Sequence, residues 1–109
     1  MITYDDFAKL TIVIGEIMVV EIIDGADKLL KLTVDVGEER PRQIVSGIRL
    51  YYEDPQALVG KKCPFLTNLA YRTIRGFESE GMLLAAHTAD DVFALLLPSV
   101  DLPVGTRVM

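Results

Sequence analysis

The stretch Leu30-Lys31-Leu32-Thr33-Val34-Asp35-Val36 alternates apolar and polar side chains without interruption. A period of two is typical of a β-strand that buries one face and exposes the other to solvent. A turn at Gly25-Ala26-Asp27 precedes it, and before that turn residues 11–23 are rich in valine and isoleucine on both alternating faces. Gly15 lies within this earlier segment, which therefore predicts a long strand bent at its glycine, as in small barrels.

The rest of the chain extends this pattern to a small barrel. Thr3 and Asp6 have the form of a capping box, which predicts a short helix over residues 4–9 that plugs the core. Residues 51–60 predict a loop with one helical turn, and Pro64 points to a sheet edge or a bulge because proline cannot donate to a ladder. Further strands are predicted at residues 42–48, 61–68, 82–86, 92–97 and 104–109.

This order of elements predicts an all-β fold. Five strands with a helical insert between the third and the fourth are typical of the OB-fold, a five-stranded Greek-key barrel. Here the barrel has a short N-terminal helix and a C-terminal β extension. OB barrels most often bind oligonucleotides or oligosaccharides through strands 2 and 3 and the loops between strands 1 and 2 and strands 4 and 5.

Length and composition restrict the class of protein. The 109 residues, half of them apolar, fit one domain over residues 1–109 with a packed core. A single cysteine, Cys63, and a single histidine, His87, are too few for an internal disulfide or a structural zinc site, so we expect no metal and no cofactor. No apolar stretch is long enough for a membrane span or a signal peptide. We therefore expect a cytoplasmic protein without a membrane partner.

The charges are unevenly distributed along the chain. The formal net charge is −5, which on average disfavours a nucleic-acid partner. Residues 61–76, however, carry four basic and no acidic side chains. Because fields fade over about 8–10 Å at ordinary salt, such a local cluster can still attract a polyanion.

Residues 68–82 combine basic, aromatic and small side chains: Asn-Leu-Ala-Tyr-Arg-Thr-Ile-Arg-Gly-Phe-Glu-Ser-Glu-Gly-Met. Residues 69–76 predict a polar, basic loop, in which Arg72 and Arg75 can offer planar donor forks to phosphate. Tyr71 and Phe77 can offer stacking faces. A solvated loop whose aromatic side chains fold back on the barrel explains the same composition, and both interpretations stay open at this point. Motifs of nucleophilic, dinucleotide-dependent and phosphate-loop enzymes are lacking, so no catalytic residue is predicted.

The same stretch resembles the signature Asn-Leu-x-x-Arg-x-x-Arg-Gly-x-x-Ser-x-Gly-Met of a family of tRNA-binding domains. These domains occur at the C-terminus of many bacterial methionyl-tRNA synthetases and as free-standing dimeric tRNA-binding proteins. Residues 26–29, Ala-Asp-Lys-Leu, and residues 42–48, Arg-Gln-Ile-Val-Ser-Gly-Ile, are similar to further segments of that family. The resemblance spans essentially the whole chain in order and spacing.

The resemblance implies a barrel that recognises the shape and backbone of folded tRNA, and a homodimer formed through residues 87–109. The implied tRNA-binding residues are Lys28 before the second strand, Arg42 and Ser46 on the third, Asn68, Arg72 and Arg75 around the loop after the fourth, and Ser79 and Met82 in the closing motif. A serine can instead satisfy backbone groups in a tight turn, and a methionine beside leucines is usually core. For Ser79 and Met82 a scaffold role therefore stays open.

The chain departs from the family pattern at several positions. Val13 and Glu16 stand where basic residues are usual, and residues 70–73 replace a more basic run. Fewer cations release fewer counterions, which predicts weak tRNA affinity unless a linked catalytic module raises the effective concentration.

Two functions follow from the resemblance. The first is a non-catalytic tRNA-binding module, as the C-terminal domain or beta subunit of a methionyl-tRNA synthetase or as a free-standing dimer. The second is a dimeric, secretion-related, chaperone-like protein that binds unfolded polypeptide.

Overall fold

A computed structural model describes all of residues 1–109 and confirms the small β-barrel. The strands are β1 (Ile12–Ile22), β2 (Leu30–Asp35), β3 (Arg42–Ser46), β4 (Lys62–Leu66), β5 (Arg72–Ile74), β6 (Phe77–Ser79), β7 (Met82–Leu83), β8 (Ala85–His87) and β9 (Phe93–Leu95), and the one α-helix is α1 (Tyr4–Ala8). Two 3₁₀ turns, Arg49–Tyr51 and Pro55–Leu58, fill the connection between β3 and β4.

A five-stranded sheet in the order β3-β2-β1-β4-β7 forms the wall of the barrel. Every neighbouring pair in it is antiparallel, and a register shift between Ile17 and Val19 bends β1 as it passes from β4 to β2. Near β7 the sheet meets β3 again, where the backbone N–H of Glu80 donates to the Gln43 carbonyl at 2.7 Å. This contact brings the two ends of the sheet together and nearly closes the barrel.

Gly15 serves the core in a way that the sequence does not reveal. A Cβ atom at this position would lie 2.8 Å from Phe65 Cδ2 and 2.9 Å from Val34 Cγ1, both too close. Since Phe65 and Val34 are completely buried, the missing side chain makes room for the phenyl ring at the centre of the core. The bend of β1 is a register shift beyond Gly15, and the glycine itself is required for packing.

The element that fills the core is not the N-terminal helix that the sequence predicts. No residue of α1 is buried, so the N-terminal helix does not plug the barrel. The completely buried Leu58, from the second 3₁₀ turn, belongs to the main core cluster. A five-residue helix whose first turn carries Asp5 and Asp6 presents too little apolar surface for that role.

Pro64 lies within β4 at a position that tolerates a missing donor. The N–H of Thr67 donates to the Thr11 carbonyl at 2.9 Å, and hydrogen-bonded pairs alternate along an antiparallel ladder. Pro64 and Ile14 are therefore a non-hydrogen-bonded pair, and the Pro64 nitrogen faces the other side, where β7 ends at Leu83. β4 nevertheless lies between β1 and β7, and beyond β7 the Leu84 N–H donates to the Pro64 carbonyl at 3.1 Å. The expected sheet edge or bulge is therefore not found at Pro64.

The C-terminal residues differ from their predicted strand. Residues 104–109 contain a single bridge, between Arg107 and Val13, and no strand. Their backbone nevertheless bonds to β1: Ile14 N–H donates to the Thr106 carbonyl at 2.9 Å and Val108 N–H to the Ile12 carbonyl at 2.8 Å. This segment therefore covers the edge of β1 that β2 leaves free.

None of the helices has the length and apolar character needed to cross a membrane.

Candidate nucleic-acid interface

The basic segment forms a β-hairpin where a loop was predicted over residues 69–76. Strands β5 and β6 pair Arg72 with Ser79 and Ile74 with Phe77. The two residues between the strands, Arg75 and Gly76, have φ angles of 53° and 82°. Positive φ at both central residues is the requirement of a type I′ turn, whose twist matches that of the strands. We call residues 72–79 the basic hairpin.

An apolar contact holds the basic hairpin against the barrel. Ile74 and Phe77 pack on a small buried cluster of Ile23, Ala26 and Val45. The Lys31 ammonium lies 4.5 Å from the centre of the Phe77 ring, so this ring is covered by the protein itself. The hairpin is therefore a fixed platform, and Phe77 is not a free stacking face.

The two arginines of the hairpin are free to act on a ligand. Arg72 lies on β5 and Arg75 at the tip, and both are exposed. Neither takes part in any of the ion pairs or side-chain hydrogen bonds of the protein. Two unpaired guanidinium groups on a fixed element can bind phosphate without first breaking an internal contact.

Ser79 is buried where β3 meets the turn before β7 and the barrel closes. Only 5% of its surface is exposed; its hydroxyl oxygen accepts from the Val45 N–H at 3.0 Å, and its hydroxyl donates to the Gly81 carbonyl at 3.1 Å. Both bonds join the hairpin to β3 and to the turn before β7. The geometry favours a scaffold role for this hydroxyl.

Ser79→Ala is expected to lower the free energy of unfolding by about 1–2 kcal/mol, because the buried Val45 N–H loses its acceptor. Thermal denaturation measures this loss. Ser46→Ala is the matched control for stability, since the Ser46 hydroxyl is half-buried and makes no hydrogen bond. A melting temperature unchanged from wild type, with tRNA binding reduced, would assign Ser79 to the ligand instead.

Arg42 is engaged by the protein on all sides. Its Nε and Nη2 atoms donate to the two carboxylate oxygens of Glu38 at 2.7 and 2.8 Å. Its Nη1 atom donates to the carbonyls of Thr67 at 2.6 Å and of Glu80 at 2.9 Å. Only 16% of the side chain is exposed. Arg42 thus ties β3 to the end of β4 and to the closing turn.

The protonation of Glu38 makes the strength of this contact depend on pH. The Arg42 guanidinium, through its hydrogen bonds, holds the pKa of the Glu38 carboxyl below its ordinary value of 4.5. The carboxyl therefore binds a proton less readily in the folded than in the unfolded chain. Its contribution to stability is complete above the ordinary pKa and is lost as the pH falls through the folded pKa.

We expect the melting temperature to fall as the pH drops below about 4.5, and to fall less steeply in Glu38→Gln. The variant should already be less stable at neutral pH, because it lacks the ion pair. Melting curves at a series of pH values compare the two proteins. Parallel curves for both would show that Glu38 titrates equally in the folded and unfolded chains.

Asn68 fixes the start of the chain to the end of β4. Its side-chain amide donates to the Lys9 carbonyl at 2.6 Å, and its oxygen accepts from the Thr11 N–H at 2.8 Å. The side chain is exposed, but both ends of its amide are in use. It therefore orients the segment that leads into the basic hairpin.

Three of the expected residues meet at a small recess, which we call the Arg72 recess. Its lining residues are mostly apolar: Val45, Leu69, Ala70, Arg72, Ile74, Ser79, Gly81 and Met82. The volume is about 50 Å³, room for one or two water molecules. Met82, from β7, is 43% exposed at its rim.

Lys28 and Ser46 are two of the five expected residues that lie outside the recess. Lys28 is exposed in the turn between β1 and β2 and lines a separate cleft of about 230 Å³ with Leu50, Tyr51 and Asp91. Ser46 ends β3 opposite Leu30. The eight expected residues therefore do not form one continuous site, and Arg72, Ser79 and Met82 are the ones that share the Arg72 recess.

Sequence reasoning missed Leu69 and Gly81. Leu69 is 38% exposed at the recess, three residues before the basic hairpin. A large apolar side chain in a predicted polar loop was the available signal. At Gly81 a Cβ atom would lie 2.9 Å from the Leu66 carbonyl oxygen. Only glycine lets the closing turn pass so near β4, and no local pattern announces that contact.

Residues 12–107 match the family model of the tRNA binding domain. The chain belongs to this family. The match contains the whole barrel, the basic hairpin and the Arg72 recess.

Known proteins similar to this tRNA binding domain are of two kinds. The methionine–tRNA ligase of Methanosarcina mazei is 44% identical over 108 residues, which are 99% of this chain and 15% of that protein. The chain thus spans about 15% of the length of that relative. A crystal structure of a MetRS related protein from Pyrococcus horikoshii has a TM-score of 0.92 at 38% identity and covers 100% of this chain and 98% of that one.

The second kind of similar protein is a chaperone. The crystal structure of the chaperone CsaA from Bacillus anthracis has a TM-score of 0.87 at 29% identity. It covers 100% of this chain and 99% of that one. The tRNA binding domain and this chaperone therefore have the same backbone fold, so the function must be argued from the side chains.

Proposed function

We propose that this tRNA binding domain is a non-catalytic module that binds folded tRNA by its shape and backbone. It acts as the C-terminal domain or the beta subunit of a methionyl-tRNA synthetase and raises the affinity of that enzyme for tRNA. The observation that carries the proposal is the basic hairpin, where Arg72 and Arg75 stand exposed and unpaired on a fixed platform. Such a module works in the cytoplasm, where its tRNA partner is found.

The structure supports different roles for the eight expected residues. Arg72 and Arg75 contact phosphates, and Met82 lines the same recess as Arg72. Arg42, Asn68 and Ser79 hold the closing turn and the hairpin in place through the hydrogen bonds described above. Lys28 and Ser46 extend the tRNA-binding surface toward the turn between β1 and β2.

Titration with folded tRNA, duplex DNA, poly-U and an unfolded polypeptide tests the proposed function. Folded tRNA should bind most tightly, because the protein offers no row of exposed aromatic rings for threading an unpaired strand. Equal or tighter binding of poly-U would contradict recognition by shape. Preference for the unfolded polypeptide would favour the chaperone-like function, which the similarity to CsaA keeps in consideration.

We also propose that the domain is a homodimer formed through residues 87–109. In this region Val92, Leu96, Leu97 and Val100 are between 45% and 66% exposed. Strands β8 and β9 form a separate two-stranded sheet with free edges. Exposed apolar side chains next to unpaired strand edges are typical of a surface that a second copy covers. Phe93 and Leu95 pack on the core and belong to the monomer.

Sedimentation should give a species of about twice the 12.1 kDa chain mass. Leu97→Asp should convert it to monomer, because a carboxylate would be desolvated in the interface. Val59→Asp is the matched control, since Val59 is 44% exposed outside residues 87–109. A wild-type protein that sediments as a monomer at micromolar concentration would disprove the dimer.

A further inference from the structure

The Arg72 recess has an apolar rim that phosphate contacts do not explain. Leu69 and Met82, which line the recess together with Arg72, are 38% and 43% exposed. Folded RNA presents phosphates, riboses and the edges of a shallow groove along its helices. Its large apolar surfaces are base faces, and within its helices these are exposed only where a stack of base pairs ends. An apolar rim beside Arg72 therefore matches the end of a stack better than its side.

The size of the recess determines how a nucleobase can contact it. At about 50 Å³ it holds one or two waters and cannot take up a nucleobase. A base can therefore only lie flat across the rim. The rim is held in place for this, because Met82 pairs with Leu66 in the barrel wall and Asn68 fixes the backbone next to Leu69.

We propose that the rim of the Arg72 recess, Leu69 and Met82, stacks on the exposed face of the last base pair of a helical stack in folded RNA. This inference rests on the proposed function, because the same hairpin contacts the neighbouring phosphates. Charge complementarity selects this occupant: Arg72, exposed and unpaired, lines the same recess as the rim, and its guanidinium group can bind a phosphate of a terminal base pair. Stacking adds affinity that does not depend on salt, which a chain of net charge −5 requires.

The test compares a blunt RNA duplex with the same duplex closed at both ends by loops. The blunt duplex should bind roughly tenfold more tightly, the ratio expected when about 55 Å² of apolar surface is buried against the base face. The closed RNA carries more phosphates, so contact with phosphates alone predicts the opposite order. A 2-aminopurine placed in the terminal pair should change its fluorescence on binding, and the same probe in the middle of the duplex should not.

Met82→Ala should weaken blunt-duplex and tRNA binding by about fivefold, because less apolar surface is buried on the base, and should leave the salt dependence unchanged. Met18→Ala is the matched control, because Met18 is 46% exposed on β1 and does not line the recess. Equal affinity for blunt and closed RNA, or equal binding by the two variants, would overturn the stacking contact while the proposed function survives. Failure to bind tRNA and both duplexes would overturn the proposed function and this inference together.

Discussion

Replacing Arg72 and Arg75 together with glutamine is expected to weaken tRNA binding by more than tenfold. Each arginine that contacts phosphate releases counterions, so the slope of log affinity against log salt should fall by about 1.4–1.8. The loss should be similar for every tRNA tested, since phosphate contacts carry no sequence information. Fluorescence titration of folded tRNA at several salt concentrations measures both quantities.

Two controls make this result specific. Folding should remain within about 0.5 kcal/mol of wild type, because both side chains are exposed and unpaired. Lys61→Gln removes a cation that is also exposed but lies outside the hairpin, and it should change affinity little. If the double variant keeps the wild-type slope and affinity, the hairpin is a solvated surface and the binding face lies elsewhere.

Arg42→Met is expected to reduce the stability of the fold strongly, whereas the double arginine variant reduces tRNA binding and leaves stability almost unchanged. The substitution keeps much of the alkyl stem but leaves the carbonyls of Thr67 and Glu80 and the carboxylate of Glu38 without their donor. Loss of these bonds should lower the free energy of unfolding by on the order of 2–3 kcal/mol. The melting temperature of a domain of this size should then fall by about 10 °C or more.

Arg75→Met is the matched control for this variant. It removes the same charge and the same donors at an exposed position, and its stability should stay near that of wild type. Equal melting temperatures for the Arg42 and Arg75 variants would show that the four hydrogen bonds of Arg42 contribute nothing net to folding.

The local patterns of the sequence predict the wall of the barrel well. Alternation at residues 30–36 predicts β2 because one face of the strand is buried and the other is partly exposed to solvent. The unequal distribution of charge likewise marks the segment that carries Arg72 and Arg75. Both are properties of neighbouring residues, so a linear pattern contains them.

The basic hairpin escaped prediction for a physical reason. Type I′ turns favour asparagine or aspartate before glycine, because these side chains tolerate positive φ. Arg75 occupies that position at φ 53°, and its neighbours form strands of only three residues. With such short strands and an unusual turn residue, a hairpin and a loop have almost the same sequence.

The roles of Arg42 and Gly15 depend on contacts across the chain. The carbonyls that Arg42 binds are 25 and 38 residues away along the chain, and the atoms that exclude a side chain at Gly15 belong to other strands. A resemblance can mark such positions as important, but it does not separate a ligand contact from a structural one. Burial and hydrogen-bond partners make that distinction.

The bonding of residues 104–109 to β1 also determines how the domain can be joined to another one. The Arg107 guanidinium donates to the Leu10 carbonyl at 3.0 Å, so the first and last turns of the polypeptide leave the barrel at the same corner. A catalytic module attached before α1 or after Met109 would therefore start from nearly the same point. The tether of such a module would not have to cross the barrel in either case.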